Sequence, residues 1–328
     1  MKSTRTLGAG MGLVLALGAI TGPAAAQDDW PSEPIHFIIG YPAGSSPDTM
    51  GRIVAEGLEA SLGQPVVIEN KPGAGGAIGV QTMLQGDPAY TFGITTNGPM
   101  TTSPKLIPDL TYTVEEDIAP IALIGTSPLI LTLNSDAEAD TLEDFIAWAK
   151  SAPGEITYGS IGQGSGSHLT TELFAATAGV EMLHIPFASF AEVTNSILGQ
   201  EINAAFMAPS GALAQFKAGN LKILGISSAE SSPLAPDVPP IAGTAGMPDD
   251  FRAELWIAAI GNSETSPEII EKLNAEIDAV LATDEAKEKM LAIGWQAQGG
   301  STADLAERIE KDTGVWGAVL EKAGLLPN

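Results

Sequence analysis

The sequence predicts an α/β protein of two lobes, each a mostly parallel sheet flanked by helices. Short apolar runs alternate with segments whose apolar residues recur every three or four positions, the rhythm of strand–helix units. The chain has 328 residues, more than one ordinary core accommodates. Two strand-to-helix connections are long runs of small residues, Gly40 to Asp48 and Gly159 to His168.

Ile35–Ile39 reads as the first strand and residues 47–62 as the first helix, with Met50, Ile53, Val54, Leu58 and Leu62 on one face and Gly63 as its stop. Val66–Glu69 is a second strand. The turn from Asn70 to Gly76 feeds a helix to about Gln85, and Thr91–Thr95 is a third strand. Ile118–Gly125 and Leu129–Leu133 read as buried strands. Thr141 and Asp144 begin a helix in capping-box fashion. Strands at 156–158, 182–185, 204–207 and 223–226 alternate with helices ending near Ala178 and Leu198. A proline-rich stretch, 231–240, is a loop. Trp256–Ile260 is a last strand, and helices at 267–282, 284–293 and 302–323 close the chain. This tail has too few strands for a sheet of its own and is expected to pack on the first lobe. The expected division is residues 27–126 with 245–328 as lobe one, and 127–244 as lobe two.

The first 26 residues have the layout of an export signal: Lys2 and Arg5, an apolar run from Leu7 to Ile20, and an Ala-rich cleavage site ending at Ala26. That run is shorter than the ~20 residues a membrane span requires. Removing Lys2 and Arg5 leaves 13 basic against 40 acidic residues, a net charge of −27. Such a field repels nucleic-acid phosphates and anionic membranes. Cysteine is absent, which excludes disulfides, thiolate metal sites and cysteine nucleophiles.

Catalytic motifs fare poorly. His36 and His184 lie in or beside strands and read as packing or capping residues. A Ser165–His168 pair is conceivable for a secreted serine hydrolase, but no G-x-S-x-G elbow surrounds Ser160 or Ser165. The three His residues have no zinc spacing, and Asp48, Asp87 and Asp117 no calcium-loop spacing. Gly73 to Gly79 only nearly mimics a dinucleotide fingerprint and reads as a tight turn with close helix packing. No metal or cofactor is expected. The two small-residue loops remain. Each leaves backbone N–H groups free where a helix begins, and neither contains Lys or Arg. They suit a carboxylate held by dipoles and hydroxyls from both sides.

The segments Pro34 to Asp48, Leu62 to Gly79, Tyr158 to His168, Leu198 to Ile202 and Ala218 to Ile226 resemble the Bug, or tripartite tricarboxylate transporter, solute-binding proteins. The resemblance runs to the helix from Trp316 to Ala323. It implies a periplasmic, monomeric binding protein of the Venus-flytrap kind, closing over a small organic carboxylate and delivering it to an integral-membrane transporter with large and small subunits. Presentation of the ligand to a membrane sensor kinase would use the same closure. Mapped on this sequence, the ligand residues are Tyr41, Ala43, Gly44, Ser45, Ser46 and Asp48 on one lobe and Ser160, Gly164, Ser165 and His168 on the other. Thr96, Asn97, Phe187, Ala188 and Ser189 shape the distal pocket. Two departures stand out. Pro47 removes a donor often available in the family, and Pro186-Phe187-Ala188-Ser189 replaces a usual Pro-Tyr-Lys-Gly. The distal pocket is therefore expected to favour a monocarboxylate or an apolar-bodied dicarboxylate over citrate.

Overall fold

The structure is a computed structural model that describes residues 30–327. The expected export signal and its cleavage site at Ala26 lie outside the described residues. The strands are β1 (Ile35–Ile39), β2 (Val66–Asn70), β3 (Thr91–Thr96), β4 (Ile118–Pro128), β5 (Ile130–Asn134), β6 (Ile156–Ser160), β7 (Met182–Pro186), β8 (Ala204–Met207), β9 (Leu221–Ile226), β10 (Glu254–Asn262) and β11 (Gln296–Ala297). The helices are α1 (Ser46–Leu62), α2 (Ala77–Leu84), α3 (Ser103–Leu106), α4 (Val114–Asp117), α5 (Leu142–Ser151), α6 (Gly166–Ala178), α7 (Phe190–Leu198), α8 (Pro209–Lys217), α9 (Pro267–Ala282), α10 (Asp284–Ala292) and α11 (Thr302–Lys322).

Two sheets form, in the orders β11-β4-β10-β3-β1-β2 and β7-β6-β8-β5-β9. The α/β architecture is as expected, but the sheets are mixed rather than mostly parallel. Parallel pairing is confined to β1 with β2 and β3, and to β6 with β7 and β8. β4, β10 and β11 run antiparallel to their neighbours, as does β5 to β8 and β9. The reason lies in the connections. β4 passes into β5 across Leu129 alone, and β10 comes back from the second sheet. A strand arriving from the other lobe meets its sheet at the opposite end and runs against the βαβ strands.

Strand alternation divides the first core. Ile35, Phe37 and Ile39 pack with Met50, Val54 and Leu58 of α1 and Leu273 and Ile277 of α9. Ile38 joins Val80 and Met83 of α2, Trp256 of β10, and Leu305 and Ile309 of α11 on the other face. In the second sheet Leu131, Tyr158 and Phe206 pack with Phe145 and Phe174, and Ile130 and Met207 with Val193 and Ile197. The tail does not keep to the first sheet. The second half of α11 places Trp316, Val319 and Leu320 in the core of the second, together with Met247, Phe251 and Ala253. One helix thus packs on both sheets.

Both chain crossings are tied by one residue. Ser227 is fully buried. Its hydroxyl accepts from the Leu129 N–H (2.9 Å) and donates to the Ala253 carbonyl (2.7 Å). Its N–H donates to the Leu129 carbonyl, and its own carbonyl accepts from the Ala253 N–H. Replacing Ser227 by Ala leaves a buried N–H and C=O without partners and is expected to cost about 1–3 kcal/mol in urea unfolding. An unchanged midpoint would show that the crossings do not depend on this hydroxyl.

Candidate ligand site

β1, β2 and β3 run parallel, so their carboxyl ends share one edge of the first sheet, where ligands of open α/β sheets bind. The connection after β1 is held from within. Asp48 is 2% exposed. Its Oδ2 accepts the Gly44 N–H (2.8 Å) and Arg52 Nε (3.0 Å). Its Oδ1 accepts Arg52 Nη2 (3.0 Å) and Asn70 Nδ2 (3.0 Å). Burial opposes ionisation, but the hydrogen bonds from Arg52, Gly44 and Asn70 outweigh it and hold the carboxyl below its usual range. Both oxygens are thus committed to the loop, and the Asp48 side chain is its clamp, while its N–H stays free. Arg52 cancels the clamp's charge, so the loop stays without net charge.

Other donors remain free. Ser45 caps α1 in extended geometry, yet its side chain accepts no capping bond. Its hydroxyl oxygen is buried and unpartnered. The N–H groups of Ser46 and Asp48, in the first turn of α1, have no acceptor among the described residues. Pro47 sits at the second helical position, where the missing N–H leaves the helix intact. Ala43 and Gly44 are exposed beside this helix start.

Tyr41 braces the same edge. Its hydroxyl donates to the Gly75 carbonyl (2.6 Å) and accepts from Thr96 Oγ1 (2.6 Å). Burial pushes its ionisation up, against a smaller opposing effect of the Thr96 bond. A Cβ at Gly76 would lie 2.6 Å from the Tyr41 oxygen, and one at Gly40 would lie 2.3 Å from the Gly76 carbonyl. Gly73, Gly76 and Gly79 therefore serve close packing, as the sequence suggests, and Gly75 serves the turn through its positive φ. Tyr41 and Thr96 support the edge from within it. Asn97 precedes a short π-helical turn, Gly98–Thr102, and its carbonyl accepts from Thr101 Oγ1; its side chain is half-buried.

The connection after β6 has its own clamp. The Gly164 N–H donates to His168 Nδ1 (2.9 Å), so neutral His168 carries its proton on Nε2. The Ser165 hydroxyl caps α6 by accepting from the His168 N–H (3.3 Å) and meets Ser167 Oγ. Ser160 is fully buried; its hydroxyl bonds Gly162 and shares a 2.7 Å hydrogen bond with His184 Nε2. It shapes the loop rather than lining a cavity. The N–H groups of Gly166 and Ser167 remain without acceptors among the described residues.

Phe187 bonds back to Ser160 through its N–H, and its ring would lie 3.2 Å from a Cβ at Gly159. The Ala188 N–H and the Ser189 hydroxyl are engaged with Glu192. The pocket wall expected from 187–189 is thus an aromatic ring and a capped helix start, with no cation.

One contact brings the two connections together. A Cβ at Gly166 would lie 2.3 Å from Leu255 Cδ2. Leu255 packs on the same cluster as Tyr41 and stands two residues before Ile257, which faces Thr96. The start of α6 therefore abuts the edge of the first sheet from which α1 begins. Sequence reasoning missed Arg52 and Asn70; His184, read as a packing or capping residue, stacks on Tyr158 and His168 and meets the Ser160 hydroxyl. Asn70 was detectable, since it ends a strand parallel to β1, and so was Arg52, one helical turn from Asp48 at the spacing of a local ion pair.

Because the buried Asp48 carboxylate accepts from Gly44 and Asn70 as well as Arg52, Asp48→Ala is expected to cost about 1–3 kcal/mol in chemical unfolding. A loss below about 0.5 kcal/mol, the range of indifferent surface changes, would mean that something else holds the loop.

Residues 50–325 match the family model described as the tripartite tricarboxylate transporter family receptor. Protein BugT of Bordetella pertussis is 35% identical over 296 residues, 90% of each chain. A TctC solute binding protein from Polaromonas superposes with a TM-score of 0.81 at 28% identity, covering 89% of this chain and 99% of that one. R. palustris Rpa4515, solved with adipate, gives 0.70 at 27% identity, covering 92% and 100%. The chain belongs to the tripartite tricarboxylate transporter receptor family.

Proposed function

We propose that the protein is a periplasmic receptor that captures one carboxylate of a small organic acid between its two sheets and delivers it to a membrane transporter of large and small subunits. The observation that carries this reading is the set of free donors at the two helix starts: the buried Ser45 hydroxyl and the N–H groups of Ser46, Asp48, Gly166 and Ser167. Two helix starts presenting N–H groups and a hydroxyl, without a net cation, match the charge and size of a carboxylate. Water completes such sites where a direct bond does not reach.

In this reading the lobes hinge at the two crossings that Ser227 ties, around Leu129 and between Ser227 and Ala253. Residues 245–253 move with the second lobe, into whose core Met247 and Phe251 pack. The last turns of α11 do the same. Membership of a receptor family supports binding without turnover. So does the geometry of both Ser–His pairs. His168 Nδ1 is taken by Gly164, and the hydroxyl that meets His184 belongs to the fully buried Ser160.

An apolar-bodied dicarboxylate suits the distal side, where Phe187 stands and the donors of Ala188 and Ser189 are engaged. The adipate bound by a relative is of that chemistry. Saturating adipate is expected to raise the melting temperature, by the equivalent of about 2.7 kcal/mol at a hundredfold excess over Kd. Calorimetry of Ser45→Ala is expected to show adipate binding weakened by about 1 kcal/mol. Submicromolar citrate binding would overturn the dicarboxylate preference. Ser45→Ala binding as tightly as the unmodified protein would remove that hydroxyl from the site.

A further inference from the structure

Beneath the second connection lies a group of rings that the ligand contacts do not use. His168 and His184 stack with centroids 4.0 Å apart and planes 22° from parallel. Tyr158 stacks on both, 5.0 Å from His184 and 6.3 Å from His168. The Tyr158 hydroxyl donates a short hydrogen bond to Glu172 Oε1. Both imidazoles touch the loop: His168 accepts the Gly164 N–H, and His184 meets the Ser160 hydroxyl, which in turn bonds the N–H and C=O of Gly162. The loop's turn at Gly162 and Gly164, both at positive φ, is thus fixed by two adjacent imidazoles.

We propose that His184 is a positioning residue of the ligand site, acting with His168 as a proton-operated catch. Neutral rings hold the 160–168 loop in its binding shape, and their protonation lets it go. The chemistry is direct. A proton on His168 Nδ1 removes the only lone pair that receives the Gly164 N–H, turning an attraction into a clash of two donors. A second proton, on His184, places two cations 4.0 Å apart at the ring centres. What the loop binds rests on the carboxylate-receptor reading; what holds the loop does not.

Few charges surround the pair. Glu172, on α6, attracts a proton to His184. β8 (Ala204–Met207) carries no ionisable side chain. α11 and β10, which also pack on α6, bring Arg308, Asp312 and Glu254, engaged with one another. Glu321 and Lys322 at the end of α11 are exposed. Glu192 of α7 is bound to the Ala188 N–H. Burial pushes His168 down. It also pushes His184 down to about 4, with His168 adding to the fall and Glu172 opposing it. Below the ordinary imidazole value of about 6.5, the unfolded chain takes up protons that the folded pair refuses. Stability contributed by the neutral rings is therefore complete above that value and declines as pH falls toward about 4.

The test follows the Gly164 amide resonance of the whole protein from about pH 7.5 to 4, in the unmodified chain and in His184→Gln, whose amide keeps a polar group near Ser160 but does not titrate. Adipate affinity is measured over the same range. In the unmodified protein the Gly164 resonance is expected to move with an acid midpoint, and adipate affinity to fall about tenfold alongside it. His184→Gln is expected to weaken adipate binding at neutral pH, because the loop loses one of its two holds, to keep the acid midpoint that belongs to His168, and to lose the further fall in affinity toward about pH 4 that a second cation brings. A Gly164 resonance indifferent to pH, or a His184→Gln variant that binds adipate as the unmodified protein does at every pH, would overturn the proposal. A titrating Gly164 resonance with no adipate binding at any pH would leave the catch standing and count against the carboxylate reading.

Discussion

A site that grips an anion with backbone groups works only if the loops carrying them are held by something other than those same groups. Asp48 and His168 meet that constraint, one in each lobe. Asp48 takes the Gly44 N–H, and His168 takes the Gly164 N–H, each from four residues further along the chain. Each connection is thereby folded back on the start of its own helix, while the N–H groups of the first helical turn stay free. The same device in chemically different form, a carboxylate and an imidazole, gives the two lobes different responses to acid. The carboxylate is already held ionised by its neighbours, whereas the imidazole stays an acceptor only while neutral.

The fold puts these two starts against one another through its antiparallel strands. β4 and β10 carry the chain between sheets, and Leu255 at the beginning of β10 touches Gly166 at the beginning of α6. α11 then spans both cores, with Leu305 and Ile309 in one and Trp316, Val319 and Leu320 in the other. A rotation of one sheet against the other must bend or slide this helix as well as flex the two crossings. The buried Arg308, which bonds Asp312 and stands near Glu254, fixes its middle to the strand that returns from the second sheet.

Much of the fold was legible because it is local. The apolar strand Ile35–Ile39, the period of Met50, Val54 and Leu58, and the Thr141–Asp144 capping box all appear where the sequence places them. What escaped is long-range or weakly patterned. α8 begins with Pro209 and buries only Pro209 and Ala212, too little for a period to show. β11 is two residues long and exists only because β4 is beside it. Strand direction is set by which lobe the chain returns from, which no window of sequence records. Of the site, the two connections could be read from strand, small residues and helix start. The roles of Asp48, Ser160 and Ser189 could not, since a hydroxyl or carboxylate at a helix start serves equally as cap, clamp or ligand donor. Only their partners decide.

One carboxylate held by both helix starts at once is directly visible in a crystal structure of the protein with adipate. A carboxylate is expected, directly or through one water, against the Ser45 hydroxyl and the N–H groups of Ser46 or Asp48 on one side, and those of Gly166 or Ser167 on the other. A ligand bound to a single lobe, or one that reaches the side chains of Asp48 and His168 while leaving these donors free, would contradict it.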